Sequence, residues 1–262
     1  MSKTKRNWSR EETILAFELY CTIPGNKVTP ENDQIKKLAK AIKREPNAVK
    51  LKLQNFKSYD TSYTQNGRVG LSHGSKTDKE VVEEFLQNWD SLVFEASKIK
   101  EQYQLETKTS EESDPDESIA FCGPNGYDKI SFQKSRIGQT FFRNSLFSAY
   151  GGKCCITGLS VPELLRASHI KPWSKSNNVN EKTNPQNGLL LNVLHDAAFD
   201  KGFITIGLDY KIVVSSQLNE YTDEFTEKAL KKYSGKKITL PSRFVPDEKF
   251  IKYHNEIVFK EE

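Results

Sequence analysis

Leu164-Leu165-Arg166-Ala167-Ser168-His169-Ile170-Lys171-Pro172-Trp173, a polar loop to Pro185, and then Asn187-Gly188-Leu189-Leu190-Leu191-Asn192-Val193-Leu194-His195-Asp196-Ala197-Ala198-Phe199-Asp200-Lys201-Gly202 decide how this chain is read. A short strand around His169, a loop, and the apolar run Gly188–Leu191 predict a hairpin. Leu194 to Asp200 then predicts one or two turns of helix, stopped by Gly202. Strand, strand and helix together gather His169, Asn187, His195 and Asp196. An imidazole titrates near neutrality and can move a proton, and carboxylate, amide or imidazole groups can hold a divalent cation. Taken singly these residues say little: a lone histidine on a strand is commonly structural, and Asn187-Gly188 alone is a turn signal.

Outward from this unit the chain divides by charge. The net charge of +4 resolves into +6 over residues 1–60, −1 over 61–100, −6 over 101–118 and +5 over 119–262. The acidic stretch Glu106–Ser118 has almost no apolar side chain to offset the entropy of ordering it, so it predicts a linker over 105–120. The first block, 1–104, reads as helices. Ser9 and Glu12 form a capping box for a helix to about Cys21, Thr29-Pro30 open a second, and Pro46 opens a third bearing Lys50, Lys52 and Lys57. Three short helices with a basic last one predict a helix-turn-helix that sets its final helix, with Lys50 and Lys52, against DNA. A bundle used for packing or dimerisation is the alternative. After a Gly-, Ser- and Thr-rich loop over 61–77 that holds His73, the spacing of Val81, Val82, Phe85, Leu86, Trp89, Leu92, Val93 and Ala96 predicts one long helix from Asp78 to about Gln104.

Composition excludes several classes. No run approaches the roughly 18 apolar residues of a membrane span, and the basic N-terminus lacks the apolar core of a secretion signal. Four cysteines in 262 residues make no disulfide framework, and adjacent Cys154 and Cys155 do not make a zinc knuckle. The expectation is a soluble cytoplasmic protein with no membrane partner.

The order His169, Asn187, His195-Asp196 on strand, strand and helix resembles the HNH endonucleases. The resemblance implies an α+β chain: an N-terminal all-α helical domain (1–104), the acidic linker, and a C-terminal ββα-metal nuclease domain (121–262) with flanking helices. Phosphodiester hydrolysis needs a base to take a proton from water and a cation to stabilise charge on the phosphorus oxygens. By resemblance His169 is the base, Asn187 orients the loop or the imidazole, and one divalent metal ion is bound, Mg²⁺ first and Mn²⁺ or another divalent ion as alternatives. Counting nine positions on from Asn187 gives Asp196 as metal ligand, with His195 the second candidate and a further catalytic residue. Many members carry Asp or His before the base; here Ser168 stands in that metal position, and a hydroxyl is a weak Mg²⁺ ligand. Arg136-x-Gly-Gln139, Phe142-Arg143, Tyr150-Gly151, Cys154-x-Ile156-Thr157-Gly158 and the tail through His254 resemble the flanks of the restriction-type branch. Lys171, Lys175, Arg136 and Arg143 are then candidates to hold DNA, although Arg136 and Arg143 equally suit internal bracing. Trp8-Ser9-Arg10-Glu11-Glu12 resembles the start of Myb/SANT-like domains.

The function implied is metal-dependent cleavage of double-stranded DNA in bacterial restriction or phage defence, with a homodimer or defence-system proteins as further partners. The alternatives are a non-catalytic DNA-binding or regulatory protein on the same scaffold, and a homing or structure-specific nuclease.

Overall fold

Ser9 starts the first helix, α1 (Arg10–Thr22), by the reciprocal bonds its sequence predicts: its hydroxyl accepts from Glu12 N, and the Glu12 carboxylate accepts from Ser9 N, both at 3.1 Å. Glu12 is itself buried and also binds Arg6 and Arg44, the latter at 2.7 Å, which ties the start of α1 to the turn between the next two helices. In the computed structural model, residues 6–59, 74–105, 126–177 and 179–261 are described, with side chains in 126–133 left aside. All but the first residue of the acidic linker expected over 105–120, most of the 61–77 loop, His73 and Cys122 lie outside the described residues.

Helix α2 (Asp33–Ala41) begins later than Thr29-Pro30 predicts. Asn32 Oδ1 accepts from both Gln34 N and Ile35 N, a two-bond cap that places the start beyond the proline turn. Helix α3 (Pro46–Phe56) does open on Pro46. The single long helix expected from Asp78 onward is two, α4 (Lys76–Leu86) and α5 (Trp89–Gln102). Asn88 breaks it, because its side chain caps Ser91 N at 3.1 Å while its own backbone leaves the helical region. The apolar spacing ran through the break and hid the cap.

Helix α6 (Gly126–Ala149) is the wall shared by two cores. Phe141 belongs to the core of α1–α5, whereas Phe142, Leu146 and Ala149 belong to the core around the hairpin. Phe244, far along the chain, also enters the first core, its ring edge-on to Trp89 at 5.2 Å. Its neighbour Arg243 is buried and donates to the Tyr20 and Ile23 carbonyls and to Ser148 Oγ. These carbonyls at the end of α1 lack helical partners, and a cation there is favoured by the helix dipole as well. Residues of the second half of the chain thus complete the core of the first.

Strands β1 (Leu165–His169) and β2 (Gly188–Asn192) pair antiparallel, with His169 opposite Gly188 and Leu165 opposite Asn192. Helix α7 (Val193–Asp200) follows β2 directly. It ends at Gly202, whose φ of +74° and contact with the Val258 carbonyl leave no room for a Cβ. A second small hairpin, β3 (Ile204–Ile206) with β4 (Ile212–Val214), then α8 (Glu224–Ala229) and α9 (Glu248–Tyr253) complete the α+β architecture. His254, just past α9, is buried against the Phe199 ring at 3.7 Å and bonds Thr205 Oγ1 at 2.8 Å, so it fastens the tail to α7. No helix among the described residues is long and apolar enough to cross a membrane.

Candidate active site

The hairpin has two faces, and the pleat sorts the site residues between them. Gly188 lies against α6: a Cβ there would stand 2.6 Å from Phe142 Cζ and equally close to Leu146. His169, paired with Gly188, shares that face and stacks on Phe142 with centroids 3.8 Å apart and planes 10° from parallel. Trp173 meets the imidazole edge-on at 5.4 Å. Ser168, one residue back, turns to the opposite face by strand alternation, while α7 packs against both strands.

The protonation of His169 follows from its single hydrogen bond. Nε2 lies 2.9 Å from the Lys182 carbonyl oxygen, which can only accept, so Nε2 carries the hydrogen and Nδ1 carries the lone pair. Burial between rings pushes the imidazole down to about 4; the Lys182 carbonyl works against that shift and the Lys182 charge adds to it. At neutral pH the ring is uncharged with a free lone pair on Nδ1, the form a base requires.

Asn187 is fully buried and clamps the loop that follows His169. Its Oδ1 accepts from Lys171 N at 2.8 Å, and its Nδ2 donates to Lys171 O, Ser176 Oγ and Glu181 O. Of the two roles the resemblance leaves open, orienting the loop is the one with bonds behind it. Lys171 is drawn into the same clamp: it pairs with Glu181 at 2.6 Å and lies over the Tyr253 ring. Burial disfavours the Glu181 charge, but Lys171, the Asn177 N–H and Lys249 hold the carboxyl below its usual range. From outside, Asp90 at the start of α5 accepts from Thr183 Oγ1 and its N–H reaches the Val179 carbonyl, so the helical half also braces this loop.

On α7, Asn192 caps the helix and holds His195 twice, accepting from His195 N at 2.9 Å and from Nδ1 at 3.0 Å. His195 Nε2 is then a lone pair, buried and unpartnered. Burial pushes this imidazole to about 4 as well; the Ala229 backbone works against that shift and the Lys232 charge adds to it. Asp196 sits half-buried in the first turn. Ser168 Oγ is buried with no partner.

These donors fit a cation held sparsely. Among the described residues no group of three or more His, Cys, Asp or Glu side chains is placed to hold a metal. One carboxylate at Asp196 and an orphaned hydroxyl at Ser168 suit an ion that keeps most of its water, as Mg²⁺ does with one or two protein carboxylates.

The expected DNA contacts divide. Lys175 and Arg136 are exposed. Arg143 is half-buried, donates to the Leu165 carbonyl and covers the Phe147 ring, which makes it a brace between α6 and β1. Lys50 is half-buried on α3. Lys52 does not face DNA: it is 3% exposed, paired with Asp78 and under the Trp8 ring. Its place on the inner side of α3 follows from the spacing to Val49, Leu53 and Phe56, a signal outvoted by its charge.

Residues 154–207 match the sequence model of the HNH endonucleases. Over this segment the chain is similar to the HNH endonucleases. The match covers β1, β2, α7 and β3 and leaves the helices α1–α6 outside. No curated protein matches the chain. Sequence reasoning missed three parts of the candidate site: Phe142 as the plate under His169, the Lys182 carbonyl that sets its tautomer, and Asn192 as holder of His195. Only Asn192 had a local signal, a capping residue three positions before His195.

Proposed function

We propose that this protein is a divalent-metal-dependent DNA endonuclease in which His169 is the general base. The observation that carries the reading is the His169 tautomer: a carbonyl fixes hydrogen on Nε2 and leaves Nδ1 bare, on a ring held rigid by Phe142 and Trp173. Nδ1 takes a proton from the attacking water. Asn187 keeps the loop, and with it the Lys182 carbonyl, in register. Asp196, with Ser168 through water, is assigned to the cation, which when bound supplies charge stabilisation at the phosphate oxygens. Asp196 is preferred to His195 because it stands nine positions after Asn187 and because Mg²⁺ favours carboxylate over imidazole ligands. A bacterial restriction or defence role is part of the proposal, supported by the flank motifs outside the matched segment. For the helical half, support for a DNA-facing role comes from Lys36, Lys37 and Lys40, exposed on α2.

The test is nicking of supercoiled plasmid with Mg²⁺ or Mn²⁺. Divalent-dependent cleavage lost in His169→Ala is expected. A folded wild type that cuts no DNA with either ion, yet binds DNA in a salt-dependent way, would favour the non-catalytic alternative.

A further inference from the structure

An open cleft of about 430 Å³ lies against the first turn of α7. Its lining includes Thr157, Asn192, His195, Phe225, Lys232 and Tyr233. Phe225 is 67% exposed, which is costly for a phenyl side chain unless something covers it. Tyr233 stands edge-on to His195 at 5.2 Å and carries Lys232 and Lys236 over its ring at 4.9 and 5.5 Å. Lys232 makes this side of the cleft basic, whereas Lys228 is paired with Glu224. His195, 3% exposed, lines the cleft, and its Nε2 lone pair has no partner. A buried acceptor left unpaired costs about 1–3 kcal/mol, so a ligand that donates to it gains what the free protein lacks.

A flat aromatic plate, a buried acceptor and flanking ammonium groups match one chemical object: a planar heterocycle bearing N–H donors and joined to a phosphate. We propose that the cleft receives one unstacked nucleobase of the bound DNA, resting on the nuclease reading above. Phe225 stacks on the base, His195 Nε2 accepts from a base N–H, and Lys232 holds the adjoining phosphate. The cleft is too small for a peptide helix, about 10 Å across with side chains, and an apolar peptide would leave the lysines and the His195 lone pair unanswered. Bases have a π face that stacking recognises irrespective of sequence, and an N–H donor that restricts which base fits best.

The proposal is tested on the full-length protein without divalent metal, so that cleavage plays no part. Each of the four deoxynucleoside 5′-monophosphates, and inorganic phosphate as control, is titrated calorimetrically. At least one nucleotide is expected to bind 10-fold or more tightly than phosphate. Phe225→Ala, an exposed site that leaves folding intact, should weaken that nucleotide about 10-fold and leave phosphate unchanged, whereas Lys232→Gln should weaken both. Nucleotides that bind no better than phosphate, or a nucleotide affinity untouched by Phe225→Ala, would overturn the cleft assignment. A wild type that fails to cut DNA yet binds a nucleotide through Phe225 would count against the nuclease reading alone.

Discussion

Helix α3 carries two lysines and the stretch Lys228–Lys237 five, and the two sets have opposite surroundings. On α3, Lys52 is buried in an ion pair with Asp78 beneath Trp8, and Lys50 is half-buried. In the later stretch Lys228 and Lys231 pair with Glu224 and Glu227, but Lys232, Lys236 and Lys237 are exposed with no carboxylate partner among the described residues. Lysine density along a sequence does not locate a nucleic-acid surface. What matters is whether the helical period turns the ammonium inward and whether a carboxylate waits for it.

The comparison breaks most severely at its buried member. Asp78→Ala leaves Lys52 charged and unpaired inside the bundle, a loss of roughly 3–5 kcal/mol; chemical denaturation should show a lower midpoint and an unchanged slope. If Lys52 were exposed, only the Ser75–Asp78 capping box would be lost, roughly 1 kcal/mol. Next is Gly188→Ala, where the new methyl meets Phe142 and Leu146. A cost of roughly 1–3 kcal/mol is expected for overpacking, together with a larger fall in nicking rate than in stability, because Phe142 is the plate under His169.

A third outcome concerns pH. His169, His195 and His254 are each held neutral down to about 4 by burial, whereas in the unfolded chain they titrate near 6.5. Between those values the unfolded state binds more protons, so their contribution is complete above pH 6.5 and is lost as pH falls toward 4. The melting temperature at pH 4.5 should lie roughly 5–10 °C below that at pH 7, with the His254→Gln variant showing a shallower fall. The smallest effect separates the two basic regions directly. Lys232, Lys236 and Lys237 changed together to Gln should weaken DNA binding about 10-fold and flatten its salt dependence, whereas Lys50→Gln should change it less than 2-fold. The reverse ranking would restore α3 as the DNA-facing helix.

Much of the fold was legible because its signals are local. The Ser9 box, Pro46, the hairpin over 165–192 and the stop at Gly202 each follow from a few adjacent residues, and the order His169, Asn187, His195-Asp196 pointed to the HNH endonucleases. What was not legible depends on contacts across the chain. Nothing near Phe141, Arg243 or Phe244 tells that they complete the core around Tyr20 and Trp89. The Lys182 carbonyl that sets the His169 tautomer is a backbone atom, on which side-chain patterns are silent. The break at Asn88 lost to a stronger signal, since an apolar period continued across it.

The central claim is that His169, as a neutral imidazole with a bare Nδ1, takes the proton in DNA hydrolysis. The most direct measurement is the single-turnover nicking rate of His169→Ala beside wild type at saturating Mg²⁺, with DNA affinity measured on the same samples. A fall of about 10²–10⁴ in rate with affinity within 2-fold of wild type is predicted. An unchanged rate, or a lost rate explained wholly by lost affinity, would contradict the assignment.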